Sequence, residues 1–345
     1  MTADLSPVTL LWALRSPCNL GCRYCYFGTI DEHRGAIPQQ SGALSHLART
    51  DLDLTAITAF VHTLPGSRVQ RIFIAGGEPL IWPPIMEVIA AIKAGGVQVV
   101  LCTNGIPLNR PELVDRIVSL GVDAVSVSVD SPDASYNDTW RPARNGIHGH
   151  QDVISGVQAL ITARDSRSAP KVGLYAVITR LNIGVVRTGA ALASELGCDY
   201  FVPQPIALDP GHPLQTQLSL TGDDAGPMSE AFTQLYRSRA QVRLPDPSYP
   251  GRVVDSITDE PGFVSGCFGG TNLFFIEPDG SVWDCPSGLK IRASAGRQRN
   301  IRDADARTLF AADGPCRDCS LFSRDCVNMW PLMDFSAFLP TEVLS

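Results

Sequence analysis

Three cysteines near the start of the chain have a spacing that suits iron–sulfur chemistry. Cys18, Cys22 and Cys25 are separated by three and then two residues, and they follow an apolar stretch at residues 8–14. Soft thiolate ligands are the ones that iron–sulfur clusters prefer. Three thiolates can bind three irons of a [4Fe–4S] cluster, and the fourth iron is then free to bind another ligand. The spacing therefore predicts a cluster that can act as a reagent.

Structural zinc and disulfide bonding are the alternatives for these thiols. Zinc normally takes four protein ligands, and no fourth ligand lies nearby in the sequence. Disulfides suit exported proteins, but the first 14 residues lack a basic start and contain only a short apolar run. Ten cysteines without an export signal indicate metal or redox chemistry in a reducing compartment. We therefore favour a cluster over zinc and expect a cytoplasmic protein.

Length and composition exclude two classes of partner. A chain of 345 residues with 44% hydrophobic content has the length of about two domains and enough apolar residues for a substantial core. The net charge of −7 provides no electrostatic attraction for nucleic acid. No apolar run approaches the roughly 18 residues that a membrane span requires. We expect neither a nucleic acid nor a membrane as partner.

β-rich runs alternate with helix-period segments from residue 8 to about residue 239. The candidate strands are 8–14, 71–75, 98–103, 124–129, 171–178 and 200–202, and the candidate helices are 54–64, 84–94, 111–120, 151–163 and 185–196. This alternation predicts an α/β fold with a parallel sheet and right-handed crossovers. Six strands are too few for an eight-fold barrel, so we expect an open, partial barrel. Its active site should lie at the carboxyl ends of the strands, where the three cysteines also fall.

The composition changes after residue 239. Residues 241–261 are rich in Pro, Asp and Ser and indicate a linker or an irregular cover. Asp279-Gly280 between two β-rich runs predicts a hairpin, with Cys267 and Cys285 on either side of it. We therefore predict a barrel domain over residues 1–240 and a second, cysteine-rich unit over residues 241–345.

A tetrapeptide after the second candidate strand is the second motif of interest. Gly76-Gly77-Glu78-Pro79 could be an ordinary tight turn. Glycines at this position would also let the backbone approach a ligand closely.

Two motifs together resemble those of the radical S-adenosylmethionine (radical SAM) enzymes. They are the cysteine triplet, with Tyr24 in the aromatic position before its last cysteine, and Gly76 to Pro79. The resemblance covers residues from about 8 to 240 and implies a partial (β/α)6 TIM-type barrel. It implies that SAM binds the open iron through its amino and carboxylate groups, and that Gly76, Gly77, Glu78 and Pro79 bind the methionine amino group. The implied reaction is reductive cleavage of SAM to a 5′-deoxyadenosyl radical, which removes a hydrogen atom from a substrate carbon. The electron donor would be a flavodoxin or a ferredoxin.

Three further residues fit the resemblance by their position near strand ends. Asn104 and Ser128 correspond to polar residues that contact the ribose or methionine part of SAM in this family. Taken alone, both are also explained as turn formers or helix caps. An arginine that binds the SAM carboxylate often follows the fourth strand, and Arg144 fits this role slightly better than Arg141.

The C-terminal cysteines resemble the SPASM/twitch extension that part of the family carries, in which a β-hairpin and helical segments bind auxiliary clusters. Seven cysteines bind two auxiliary clusters in the full pattern, whereas here five are present, and Trp330 stands where a further cysteine is expected. The resemblance thus implies one auxiliary [4Fe–4S] cluster, with ligands Cys267, Cys285, Cys316 and Cys319. Cys326 is either a spare thiol or replaces one of them, and a zinc knuckle is the alternative. Cys102 and Cys198 lie in or beside apolar segments, and we interpret both as inert buried thiols.

The substrate is the least constrained part of this interpretation. A single-cluster twitch is associated with small substrates in the family, and the chain begins only about eight residues before the first strand, which leaves no room for a leader-peptide domain. We therefore expect a small molecule, a sugar, nucleoside or aminocyclitol in natural-product biosynthesis, that is oxidised, epimerised or decarboxylated. The alternatives are a maturase that modifies a ribosomally made peptide or a protein, and a non-catalytic metal-binding interaction protein. Gln204 and Glu277 are candidate substrate contacts, and no catalytic residue is identified.

Overall fold

The structure is a computed structural model. It describes residues 6–26, 51–144, 146–147, 149–165, 167–208, 212–238, 241–258, 264, 267–286, 299–311 and 324–339. Cys316 and Cys319 lie outside the described residues.

The described residues form one nine-stranded sheet with the strand order β6-β5-β4-β3-β2-β1-β7-β8-β9. Its strands are β1 (Val8–Arg15), β2 (Val69–Gly76), β3 (Gln98–Thr103), β4 (Ala124–Ser128), β5 (Lys171–Ile178), β6 (Tyr200–Pro205), β7 (Leu273–Ile276), β8 (Ser281–Trp283) and β9 (Arg299–Asn300). Strands β1 to β7 pair with one another in the parallel sense, whereas β8 pairs antiparallel to β7, and β9 antiparallel to β8. The α/β fold with a parallel sheet is confirmed.

Helices connect the six barrel strands, as the sequence pattern predicts, and further helices follow β6 and β9. They are α1 (Leu54–Val61), α2 (Ile85–Ala94), α3 (Pro111–Ser119), α4 (Ala134–Trp140), α5 (His150–Arg164), α6 (Val185–Glu195), α7 (Gln215–Leu218), α8 (Ala225–Arg237), α9 (Tyr249–Asp255), α10 (Ala306–Leu309) and α11 (Arg324–Met333). Helix α3 shows why these segments fold: Pro111 begins it, and Val114, Ile117 and Val118 form one buried face. In the part of the chain that is described, no helix is both long and apolar enough to cross a membrane.

The C-terminal segment fills the inner face of the open barrel. Phe335, in a 3-10 turn at Phe335–Phe338, packs edge-on against Phe73 of β2 and Tyr200 of β6, with ring centroids 5.0 and 5.4 Å apart. Met329 and Leu332 of α11 belong to the same buried apolar cluster. The strands are therefore covered on both faces, which explains why they are nearly continuous apolar runs.

The predicted hairpin is present and extends the barrel sheet. Gly280 has a φ of +87°, the left-handed conformation that glycine adopts without strain. Residues 241–261, predicted as a linker or an irregular cover, contain helix α9. Its Tyr249 is buried and donates a hydrogen bond to the carbonyl oxygen of Pro203 at 2.9 Å. The sheet thus continues across residue 240, and the domain boundary there stays a prediction.

Candidate active site

A cavity of about 260 Å³ lies at the carboxyl ends of the barrel strands and extends into the barrel. Its wall includes eight of the predicted site residues: Cys18, Cys22, Tyr24, Cys25, Gly76, Gly77, Asn104 and Ser128. The topology brings them together because the loops after parallel strands all open at the same edge of the sheet.

The Gly76-Gly77 turn packs directly on the segment that leads to Cys18. The Gly77 amide donates to the carbonyl oxygen of Arg15 at 2.7 Å, and the Glu78 amide donates to that of Pro17 at 2.9 Å. A Cβ atom on Gly77 would lie only 2.2 Å from the Pro17 oxygen. The absence of a side chain at Gly77 is therefore what lets the two loops meet.

Glu78 and Pro79 are buried behind this turn and do not line the cavity. The Glu78 carboxylate accepts hydrogen bonds from the amide of Leu80 at 3.0 Å, the hydroxyl of Thr103 at 2.8 Å and the amide of Asn104 at 2.6 Å. Burial raises the pKa of Glu78 to about 7, although these hydrogen bonds act in the opposite direction. Glu78 therefore ties the loop after β2 to the loop after β3. A direct contact of either residue with SAM stays a prediction.

Asn104 supports the cysteine loop from the end of β3. Its side-chain amide donates to Oδ1 of Asn19 at 2.6 Å and lies 3.8 Å from Sγ of Cys18. The amide of Leu20 donates to the same sulfur at 3.4 Å. The hydrogen bond from Leu20 favours the thiolate form of Cys18, whereas the burial of this sulfur favours the protonated thiol.

Asp130, just after β4, organises the opposite wall of the cavity. Its buried carboxylate accepts hydrogen bonds from the Tyr24 hydroxyl at 2.5 Å and the Val177 amide at 2.8 Å, and it forms a two-point ion pair with Arg141. Burial, and then the Asp130 charge, raise the pKa of Tyr24 well above its usual value, so its hydroxyl remains a donor. We did not predict this role for Asp130. The sequence feature that could have indicated it is the position of Asp130 just after a buried strand.

Arg141, rather than Arg144, is the arginine of the cavity wall. Nη1 of Arg141 lies 3.8 Å from Sγ of Cys22. Arg144 does not line the cavity, and its Nε donates to the carbonyl oxygen of Leu20 at 3.0 Å. Arg141 ends helix α4 and points back toward β4, whereas Arg144 is three residues farther along the loop. The structure therefore brings Arg141 rather than Arg144 to the cavity, and the binding of the SAM carboxylate by Arg144 stays a prediction.

The three N-terminal thiols have the chemistry that a cluster requires. Burial raises the pKa of Cys18, and it raises that of Cys22 to about 12, although the Arg141 charge acts in the opposite direction on Cys22. Free thiols here would be protonated at neutral pH, so metal binding must displace their protons. Within the described residues no three His, Cys, Asp or Glu side chains converge on a single ion. Cluster thiolates each bind a different iron, and three soft sulfurs on one cavity beside a glycine turn fit a [4Fe–4S] cluster with SAM.

The remaining cysteines have different surroundings. A Cβ atom added to Gly269 would lie 3.5 Å from Sγ of Cys267 and 3.4 Å from Cβ of Cys285, so these two cysteines flank the same glycine. Cys326 is buried in α11. Cys198 is buried, as predicted, whereas Cys102 lines the cavity.

Helix α11 contributes a part of the cavity wall that we did not predict. Asn328, Met329 and Leu332 line the cavity, and Gln204 at the end of β6 donates through Nε2 to the carbonyl oxygen of Asn328 at 3.2 Å. Glu277, the other candidate substrate contact, is buried against Trp283, whose Nε1 donates to it at 2.9 Å, and it does not line the cavity.

Comparisons with known proteins identify the family. The Radical SAM superfamily matches residues 17–177. The AdoMet-dependent heme synthase of Nitratidesulfovibrio vulgaris is 31% identical over 304 residues, which cover 82% of this chain and 75% of that protein. This chain belongs to the radical SAM superfamily. The mycofactocin maturase MftC of Mycobacterium ulcerans is 25% identical over 291 residues, covering 84% of this chain and 71% of MftC.

Solved structures show the same fold. SuiB of Streptococcus suis bound to the precursor peptide SuiA has a TM-score of 0.65 at 14% identity, and the match covers 89% of this chain. The chain spans 65% of SuiB in that comparison, just under two thirds of its length. This radical SAM protein therefore has the partial TIM-type barrel that the sequence predicts.

Proposed function

We propose that this radical SAM enzyme binds a [4Fe–4S] cluster through Cys18, Cys22 and Cys25, binds SAM beside it, and modifies a carbon–hydrogen bond of a peptide substrate. One observation carries the proposal: the three thiols and the Gly76-Gly77 turn line a single cavity at the strand ends. When bound, the cluster and SAM supply a 5′-deoxyadenosyl radical that removes a hydrogen atom from the substrate.

The residues around the cavity orient these groups and keep water out. Gly76 and Gly77 line the cavity and would lie beside the methionine part of SAM, and Asn104 and Ser128 would offer polar groups from the ends of β3 and β4. Leu11, Phe73, Val177, Met329 and Leu332 provide an apolar part of the wall. An apolar wall protects a reactive intermediate from solvent.

The comparisons support the peptide alternative better than the expectation of a small-molecule substrate. That expectation rested on the number of auxiliary clusters and on the position of the first strand, and neither observation bears on the substrate itself. MftC is a maturase, and SuiB binds a precursor peptide. These similarities support a peptide better than a sugar or a nucleoside. A small molecule is the second candidate, because the heme synthase is 31% identical over most of the chain.

A second cluster belongs to the same proposal. Cys267 and Cys285 flank one glycine beside the hairpin, and with Cys316 and Cys319 they would bind one auxiliary [4Fe–4S] cluster of the SPASM/twitch type, with Cys326 as the alternative ligand. Residues 241–345 would then form the auxiliary unit, and a flavodoxin or ferredoxin would supply electrons.

Iron analysis and a SAM-cleavage assay on anaerobically reconstituted protein test the proposal. About eight irons per chain, two clusters of four, are expected, and tightly bound zinc in their place would refute it. Cys22→Ala should abolish SAM cleavage. Cys198→Ala is the matched control, because this thiol is buried away from the cavity.

The substrate is tested separately with short peptides encoded beside this gene and with small molecules of neighbouring pathways. A change in peptide mass that depends on SAM supports the maturase. Turnover of a small molecule alone would replace it with the second candidate.

A further inference from the structure

The Arg141 guanidinium presents two different edges to its surroundings. Nε and Nη2 both donate to the Asp130 carboxylate, the latter at 3.1 Å. The remaining nitrogen, Nη1, lies 3.8 Å from Sγ of Cys22. The guanidinium therefore bridges a buried carboxylate and one of the three sulfurs that line the cavity.

Asp130 leaves this guanidinium little freedom. Its two oxygens accept four hydrogen bonds, from Nε and Nη2 of Arg141, the Tyr24 hydroxyl and the Val177 amide. An ionised carboxylate, which has only acceptors, satisfies all four donors. The two-point geometry fixes the plane of the guanidinium as well as its position, and therefore fixes the direction of Nη1.

We propose that Arg141, held by Asp130, donates a hydrogen bond to the sulfur of Cys22 in the bound cluster and thereby sets the cluster's reduction potential. The inference rests on the proposed cluster at Cys18, Cys22 and Cys25. Reduction adds negative charge to the cluster, so a donor and a positive charge at a ligating sulfur stabilise the reduced form. Hydrogen bonds to cluster sulfurs are among the factors that set such potentials. Arg141 is thus a tuning residue, and Asp130 is its positioning residue.

Arg141→Lys isolates the hydrogen bond from the charge. Lysine keeps the positive charge, but one ammonium group cannot pair with both oxygens of Asp130 and also reach Sγ of Cys22. Arg144→Lys is the matched control, because Arg144 belongs to the same loop and bonds to the Leu20 carbonyl oxygen instead of a sulfur.

The measurement is a redox titration of the reconstituted cluster, followed by electron paramagnetic resonance in the absence of SAM. We expect Arg141→Lys to shift the reduction equilibrium about tenfold toward the oxidised cluster, which is about 59 mV for one electron. Arg144→Lys should leave the potential unchanged. Arg141→Lys protein that keeps its full iron content and an unchanged reduction potential would overturn the inference. A lower SAM affinity in that protein would not rescue it, since Arg141 would then bind SAM alone.

A second measurement uses the unmutated chain, in case Arg141→Lys does not hold the cluster. Protein labelled with ¹⁵N-arginine should show a ¹⁵N hyperfine coupling to the reduced cluster in pulsed electron paramagnetic resonance, and Arg144→Lys should keep it. A cluster without this coupling refutes the role of Arg141 and leaves the proposed function intact. A chain that binds no cluster refutes both.

Discussion

Gly77→Ala tests whether the contact between the glycine turn and the cysteine loop builds the active site. The added Cβ would lie 2.2 Å from the oxygen of Pro17 and 2.4 Å from that of Ser16, and both atoms belong to the backbone. To relieve this overlap the backbone must shift by about 1 Å, since Cβ contacts under 3.0 Å essentially never occur. Overpacking costs about 1–3 kcal/mol. Losing the two hydrogen bonds between the loops adds about 0.5–1.5 kcal/mol each. The expected destabilisation is therefore about 2–6 kcal/mol.

Catalysis should be more sensitive than stability, because a misplacement of about 1 Å can cost about 100-fold in rate. The assay compares melting temperature, iron content and 5′-deoxyadenosine formation in reconstituted wild-type and Gly77→Ala protein. Gly184→Ala is the control: it has a φ of −58° and nothing within 4 Å of its Cβ position. Its stability should be unchanged or higher by up to about 1 kcal/mol. Wild-type values for Gly77→Ala in all three measurements would refute the argument.

Three further predictions concern the core, a buried carboxyl group and the auxiliary unit. Phe335→Ala should destabilise the fold by about 3–5 kcal/mol in urea unfolding, whereas Ile147→Ala, 81% exposed, should change it by less than about 0.5 kcal/mol; equal losses would contradict the packing account. The folded chain holds the Glu78 proton more tightly, with a pKa of about 7 against 4.5. The contribution of Glu78 to stability therefore falls as the pH rises between these values. Glu78→Gln should flatten the pH dependence of the melting temperature. Parallel pH profiles of the wild-type and variant melting temperatures would count against the raised pKa of Glu78. Cys285→Ala should retain some SAM cleavage but lose product, and normal turnover would show that the auxiliary cluster is dispensable.

Much of the barrel could be predicted because its signals are local. Strands 98–103 and 171–178 have the predicted bounds, since buried parallel strands are short apolar runs between turns. The position of the site follows from the same pattern, because the cysteines and the glycine turn come directly after strands.

The contacts that were missed join residues far apart in sequence. Tyr24 and Asp130 are 106 positions apart, and Gln204 and Asn328 are 124 apart. No periodicity in the chain relates such residues, so they become visible only when the sheet brings the strand ends together. The sequence could not show which of Arg141 and Arg144 lines the cavity for a related reason: both fit the motif, and only the direction of the chain after α4 separates them.

The register of the hairpin separates the two sets of cysteines along the sheet. Strand β7 runs parallel to β1, and β8 returns in the antiparallel sense with Trp283 beside Phe275. Cys285 follows Trp283 and so lies toward the amino end of β1, whereas Cys18 follows the carboxyl end. At about 3.3 Å per residue, roughly 20 Å of β1 separates its amino end, near Cys285, from its carboxyl end, near Cys18.

The cavity lies between these two ends of β1. It extends from the N-terminal cysteines down to Leu11, which is paired with Phe275 of β7. A substrate in the apolar part of the cavity would therefore lie between the cluster that starts the reaction and the proposed auxiliary cluster. If Cys285 holds the proposed auxiliary cluster, that cluster would be available as an electron acceptor at the end of the cavity away from the SAM site. The same separation is why Cys285→Ala should leave the first step, SAM cleavage, less affected than the formation of product.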